Sequence, residues 1–212
     1  MKLYGLIGYP LGHSFSKKYF TEKFGREGLH GYSYELFPIP SINDLPNLLN
    51  SNPSLHGLNV TIPYKEQVLE YVTEITPAVK TIGAANTIKF IRDKRIACNT
   101  DVIGFENSFI KNLKPFHKKA LILGTGGSSK AVQYVLKKLG IDFLLVTRSE
   151  QTSDGIINYS MIDETILNDR QVIINCTPAG MYPNDHQYPQ LPYQFISQQH
   201  YLYDLVYKPE KT

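Results

Sequence analysis

Residues 121–132 read LILGTGGSSKAV, an apolar run that stops at three glycines (Gly124, Gly126, Gly127) and continues as a helical pattern. No other stretch limits the fold so sharply. A buried strand turning at once into a helix needs glycine at the bend, and the turn leaves backbone N–H groups and the helix dipole ready to receive a phosphate. The third glycine of the dinucleotide fingerprint is Ser129 here, so a plain tight turn stays open as a reading. Around this loop, 118–123, 143–147 and 171–175 read as strands and 127–139 as a helix, a βαβ succession. A further strand is expected over 201–207.

Upstream, β-rich runs recur at 2–8, 32–37, 56–62, 86–91 and 95–98 with helical patterns between them, which makes the chain α/β. One helix is expected from Ser16 to about Phe24. A second is expected to open at Pro63, a good first helical residue, and to carry Val68, Leu69 and Val72. Residues 102–114 read as a joining helix. The 212 residues therefore divide near Asp101, into 1–101 and 102–212.

The charge pattern excludes some functions. Twenty-two basic against 19 acidic residues give +3, with the basic residues single or paired, so no stripe suited to nucleic acid exists. Glycines at 5, 8 and 12 and Pro10 interrupt the N-terminus before a signal-peptide core or membrane span can form. Cys98 and Cys176 lie in apolar surroundings without a CxxC pair, which favours a reducing, cytoplasmic setting. The six histidines show no metal-ligand spacing, so no metal is expected.

Several side chains suit chemistry. The strand FLLVTRSE ends in Thr147, Arg148 and Ser149, donors fit for a ribose 2′-phosphate, where an NAD site usually puts an acid; Glu150 is the nearest candidate for that acid. NADP is the better fit, with a solvated surface charge the alternative for Arg148. Thr177, Pro178 and Gly180 form a turn that serves either the chain alone or a ligand at the sheet's carboxyl edge. Lys65, two residues beyond Pro63, is placed by that expected helix at its first turn. The dipole disfavours an ammonium there, a condition suited to a lysine that exchanges a proton, the alternative being a lysine that reaches into solvent. Asp101 suits either the N-cap of the joining helix or a carboxylate partner for Lys65. Ser14 and Ser16 suit either capping or the capture of a small carboxylate. Asn59, Thr61, Asn86 and Thr87 are uncharged groups near strand ends, able to meet sugar-like hydroxyls.

Taken together, GxPLGHSxS at 8–16, GLNVTIPYK at 57–65, IGAANT at 82–87, NTD followed by Gly104, GTGGSSKA at 124–131, TRS at 147–149, NCTPAGM at 175–181 and DLVY at 204–207 resemble the shikimate dehydrogenase family, in the family's order. The resemblance implies an N-terminal α/β substrate-binding domain and a Rossmann-like NADP-binding domain with the active site in the cleft between them. It implies NADP-dependent, reversible reduction of 3-dehydroshikimate to shikimate, on the chorismate route to aromatic amino acids, by a monomer or homodimer acting on a small molecule. Lys65 and Asp101 would move the proton. Ser14 and Ser16 would hold the carboxylate, with Asn59, Thr61, Asn86 and Tyr207 also at the substrate. Gly124, Thr125, Gly126, Gly127, Ser128, Ser129, Thr147, Arg148, Ser149, Thr177, Ala179, Met181 and Val206 would line the cofactor. Family members continue past DLVY with a glycine-rich segment, a substrate-binding glutamine and a returning helix, so the resemblance implies a longer chain. The rival readings are a quinate or dual quinate/shikimate dehydrogenase using NAD, and a non-catalytic dinucleotide-binding relative.

Overall fold

The computed structural model describes residues 1–12, 14–181 and 186–206. They form two compact units, Met1–Thr100 and Asp101–Thr212.

The first unit holds β1 (Lys2–Gly8), α1 (Ser16–Arg26), β2 (Tyr32–Pro38), α2 (Leu45–Ser51), β3 (Leu55–Val60), β4 (Glu74–Ile75), α3 (Pro77–Ile82), β5 (Thr87–Ile91) and β6 (Lys94–Cys98). They make one mixed sheet ordered β2-β1-β3-β5-β6-β4. β1 runs parallel to β2 and β3, whereas β3–β5 and β5–β6 are antiparallel. Alternation along each strand divides the side chains between two faces. Ile7, Leu58, Val60 and Ile88 enter the main core with Leu45, Val68 and Val79. Leu6 and Tyr34 face the other way, into a smaller cluster with Leu11, where Phe20 and Phe24 of α1 cover them. Asn59, between Leu58 and Val60 and paired with Leu6, belongs to this second face. α3 starts on a proline and ends at Gly83 with φ +71°, the asymmetry that brackets short helices.

The α-helix expected from Pro63 is absent. Tyr64 N–H bonds to Thr61 C=O at 2.9 Å and Leu69 N–H to Glu66 C=O at 3.2 Å, and these i→i+3 bonds give turns and a 3₁₀ segment, Gln67–Tyr71. The geometry follows side-chain demand. Tyr64 and Val68 both reach the core, and a tight turn that hands over to 3₁₀ geometry places them there.

The second unit holds α4 (Thr100–Phe109, whose first residue lies in the first unit), β7 (Lys119–Leu123), α5 (Gly127–Lys138), β8 (Asp142–Thr147), β9 (Ile156–Asn158), α6 (Glu164–Asp169), β10 (Val172–Asn175) and β11 (Tyr201–Asp204). The sheet is wholly parallel, ordered β11-β10-β7-β8-β9. Counted within this unit, that is the doubly wound order 3-2-1-4-5 read from the far edge, with the switch point at β7 and β10. β7 and β10 are buried on both faces, as a covered parallel sheet requires. α5 buries Ser129, Val132 and Leu136 along one stripe, and Gly140 at φ +67° ends it with Ile141 N–H reaching back to Leu136 C=O. Beyond its first residue, α4 packs on β11: Phe109 stacks on Tyr201 at 5.2 Å, and the Ser108 and Tyr203 hydroxyls bond. Among the described residues, no helix is long and apolar enough to cross a membrane.

Candidate active site

In the first unit, residues expected at a substrate gather along one sheet edge, where β1 and β3 end and β5 begins. A Cβ on Gly8 would lie 2.5 Å from Thr61 Cγ2, so only glycine lets the GYPLG turn cross β3 this closely. The NVTIPYK stretch is tied on three sides: Thr61 N–H to Ile7 C=O at 3.0 Å, the buried Tyr64 hydroxyl to Ile39 C=O at 2.6 Å, and Ala85 N–H to Lys65 C=O at 2.7 Å. The backbone of Lys65 is thereby fixed beside the Ala85–Asn86 segment, with its side chain half-buried. No α-helix begins at Pro63, so the dipole of such a helix does not act on Lys65.

A continuous run of polar side chains crosses this edge. The Tyr34 hydroxyl donates to Asn59 Oδ1 at 2.7 Å, Asn59 Nδ2 to Thr87 Oγ1 at 3.2 Å, and Thr87 Oγ1 to Asn86 Oδ1 at 3.1 Å. Asn86 Oδ1 also receives Thr100 N–H at 2.8 Å and its hydroxyl at 3.1 Å. At the other end the Ser16 side chain lies by the Tyr34 oxygen; burial pushes the Tyr34 hydroxyl far up, opposed by Ser16, so it stays protonated as a donor. Ser16, Asn59 and Asn86 are thus brought together. Tyr34 and Thr100 join them without a local sequence signal.

The serines do not cap α1 in the expected way. Its N-cap is Phe15, which makes no side-chain cap bond, although Ser14 Oγ accepts from Ser16 N–H at 3.3 Å. Asp101 is not an N-cap either. α4 begins at Thr100, so Asp101 lies exposed in its first turn, where a carboxylate still complements the dipole. Tyr207 lies outside the described residues.

In the second unit the carboxyl ends of β7, β8 and β10 border a groove of about 890 Å³. Gly124, Thr125, Gly126, Thr147, Arg148, Ser149, Thr177 and Ala179 line it, as do Asn158, Tyr159 and the 186–190 segment. Gly124 has φ +99°, and a Cβ there would meet Thr177 Cγ2 at 3.1 Å, so the two loops touch across the switch point. Gly127 and Ser128 are exposed at the start of α5. Ser129 is fully buried, its hydroxyl bonding Gly126 C=O at 2.7 Å, and so it braces the loop from behind. Met181 and Val206 do not line the groove.

Two asparagines hold the groove's walls. Asn158 Nδ2 donates to Ser149 C=O at 2.7 Å, fixing the turn that carries Arg148. The buried Asn175 accepts from Thr177 N–H and hydroxyl at 3.0 and 2.6 Å and donates to Ala179 C=O and Asp204 Oδ1 at 3.3 and 3.1 Å. Burial raises the Tyr159 hydroxyl, and the opposing pull of the Arg148 guanidinium marks the two as neighbours. Cys176 borders the same groove. Burial first and the Asp204 carboxylate second push its thiol up to about 12, and burial also raises Cys98. Both thiols are therefore expected to react slowly with a thiol reagent at neutral pH in the folded protein, because the thiolate is the nucleophile. Rapid modification of either one would contradict that.

The groove fits a dinucleotide. Glycine-opened N–H groups after β7, a close-approach turn after β10 and an exposed guanidinium after β8 are the donors a pyrophosphate and a ribose phosphate need. Among the described residues, no cluster of side chains suited to a metal ion occurs.

A family model described as the shikimate dehydrogenase substrate binding domain matches residues 6–88. A shikimate dehydrogenase (NADP(+)) from Methanosphaera stadtmanae is 34% identical over 225 residues, covering 98% of this chain and 79% of that protein. Among solved structures, a chorismate mutase/shikimate 5-dehydrogenase fusion protein from Clostridium acetobutylicum matches with a TM-score of 0.82 at 33% identity, covering 100% of this chain and 79% of that one. The shikimate 5-dehydrogenase of Thermus thermophilus in complex with NADP(H) and shikimate gives 0.81 at 27% identity, covering 99% of this chain and 80% of that one.

Proposed function

The chain belongs to the shikimate dehydrogenase family, and from that premise we propose that it catalyses the NADP-dependent, reversible reduction of 3-dehydroshikimate to shikimate. The observation that carries this reading for the residues themselves is the hydrogen-bonded run from Tyr34 to Thr100, with the Lys65 backbone pinned beside it. Such an edge offers hydroxyl and carboxamide groups to a polyol ring and an amine for its proton. Ser14 and Ser16 take the carboxylate, and Asn59, Thr61 and Asn86 the ring hydroxyls. Lys65, with Asp101 as the second member, accepts the proton that leaves the oxidised hydroxyl and returns it in the reductive direction. Gly124, Gly126, Thr147, Arg148, Ser149 and Thr177 hold NADP, which when bound supplies the hydride acceptor. The protein works in the cytoplasm, as a monomer or homodimer.

Steady-state rates followed at the nicotinamide absorbance, with shikimate and quinate each paired with NADP and NAD, test the assignment. Shikimate with NADP is the expected best pair. Preference for quinate with NAD transfers the chain to the quinate branch, and no turnover with any pair makes it a binding relative.

Arg148 decides the cofactor. Arg148→Ala is expected to weaken NADP by about 1.5–3 kcal/mol, the range for a hydrogen bond to a charged group, while leaving NAD nearly unchanged. Equal weakening of both would put the 2′-phosphate elsewhere.

A further inference from the structure

We infer that Tyr34 is a positioning residue for the substrate: its hydroxyl locks the Asn59 carboxamide so that a nitrogen donor, not the carbonyl oxygen, is left for the ligand. The inference rests on the functional reading above. It follows from the direction in which protons must run along the sheet edge.

Thr100 N–H is a backbone donor and cannot reverse. The Asn86 atom 2.8 Å from it is therefore the carbonyl oxygen. Thr87 spends its hydroxyl proton on that same oxygen, at 3.1 Å, so toward Asn59 it can only accept. Asn59 must then turn Nδ2 to Thr87 and Oδ1 to Tyr34, and the Tyr34 hydroxyl, 2.7 Å away, must donate. Its proton committed, the Tyr34 oxygen is left to accept, on the side of Ser16. The polarity set at one backbone amide thus reaches Tyr34 through three side chains.

A carboxamide nitrogen has two hydrogens, and Thr87 takes one from Asn59. The second is the group left for a ligand, and it suits an acceptor such as the oxygen of a ring hydroxyl. Without the Tyr34 proton, Oδ1 loses its donor and Thr87 alone holds the carboxamide in this orientation, so its outward N–H is less firmly placed. The Tyr34 ring itself is held independently. It is 3% exposed and stacks on Phe20 at 4.5 Å with 13° between planes.

That independence makes Tyr34→Phe a clean variant, because it keeps the ring and removes one oxygen. In the full chain, the KM for shikimate is expected to rise about 10-fold, the loss of roughly one buried hydrogen bond's orienting effect, with the NADP dissociation constant within about 2-fold. A double-mutant cycle separates orientation from packing: once Asn59→Ala has removed the carboxamide, Tyr34→Phe is expected to add nothing further. Asn59→Asp supplies a second route, since it keeps the acceptor for Tyr34 but removes the outward N–H, and its KM is expected to rise with Tyr34 intact. An unchanged KM in Tyr34→Phe, or an equal rise with and without the Asn59 side chain, overturns the role of Tyr34 alone. A wild-type chain that shows no shikimate-dependent formation of NADPH overturns the functional reading and this inference with it.

Discussion

Lys65→Ala is expected to lower the turnover number for shikimate oxidation by about 10²–10⁴-fold, the usual contribution of a positioned general acid–base group, with a much smaller change in substrate affinity. The fold should tolerate the change. Lys65 is held through its main chain, by Ala85 N–H on its carbonyl, while the neighbouring Tyr64 anchors the turn through the core and Ile39. Removing the side chain beyond Cβ therefore leaves these main-chain ties in place. Steady-state kinetics, together with the shikimate dissociation constant of the variant, make the separation. Turnover near the wild-type value would remove Lys65 from the mechanism, and a parallel collapse of affinity would make it a binding group.

The glycine loop, the long strands and α5 are legible from the sequence because their signals are local. LILGTGGSSKAV carries its strand, bend and helix within twelve residues, and the buried faces of β7 and α5 follow from it. Short elements fall below any periodicity. β4 and β9 have two and three residues, and α2, α3 and α6 at most seven, too few for a pattern to repeat. The segment after Pro63 misleads for a different reason: Val68, Leu69 and Val72 have helical spacing, but the core places Tyr64 and Val68 first and the backbone complies with turns and a 3₁₀ segment.

The site divides along the same line. Gly124, Arg148 and Thr177 can be picked out because each sits at the end of a recognisable strand. Tyr34 cannot, since its partner Asn59 is 25 residues away and only the sheet register aligns the two across β1, where Tyr4 is opposite Tyr34 and Leu6 opposite Asn59. Asn175 is similar. In the sequence it is one more polar residue at a strand end, and its importance lies in a partner 29 residues on, Asp204 of the neighbouring strand.

That partnership makes Asn175→Leu the second large effect. The substitution keeps the branching at Cγ but leaves Thr177 N–H, the Thr177 hydroxyl, Ala179 C=O and the Asp204 carboxylate without the group that joins them. The hydrogen bonds of a buried carboxamide are lost while its partners, part-buried or exposed, can turn to water, so a loss of about 1–3 kcal/mol in unfolding free energy is expected. The cofactor should suffer as well. Thr177 is the residue whose methyl lies 3.1 Å from where a Gly124 side chain would begin, so a Thr177 turn released from Asn175 disturbs the glycine loop directly. A denaturant midpoint and an NADP titration on the same variant read the two effects. Asn175→Asp divides them further, because it retains an acceptor for Thr177 but sets a second carboxylate against Asp204, and like charges there oppose the β10–β11 pairing. Wild-type stability and NADP affinity in Asn175→Leu would mean that the turn after β10 is held by its Pro178–Gly180 backbone alone.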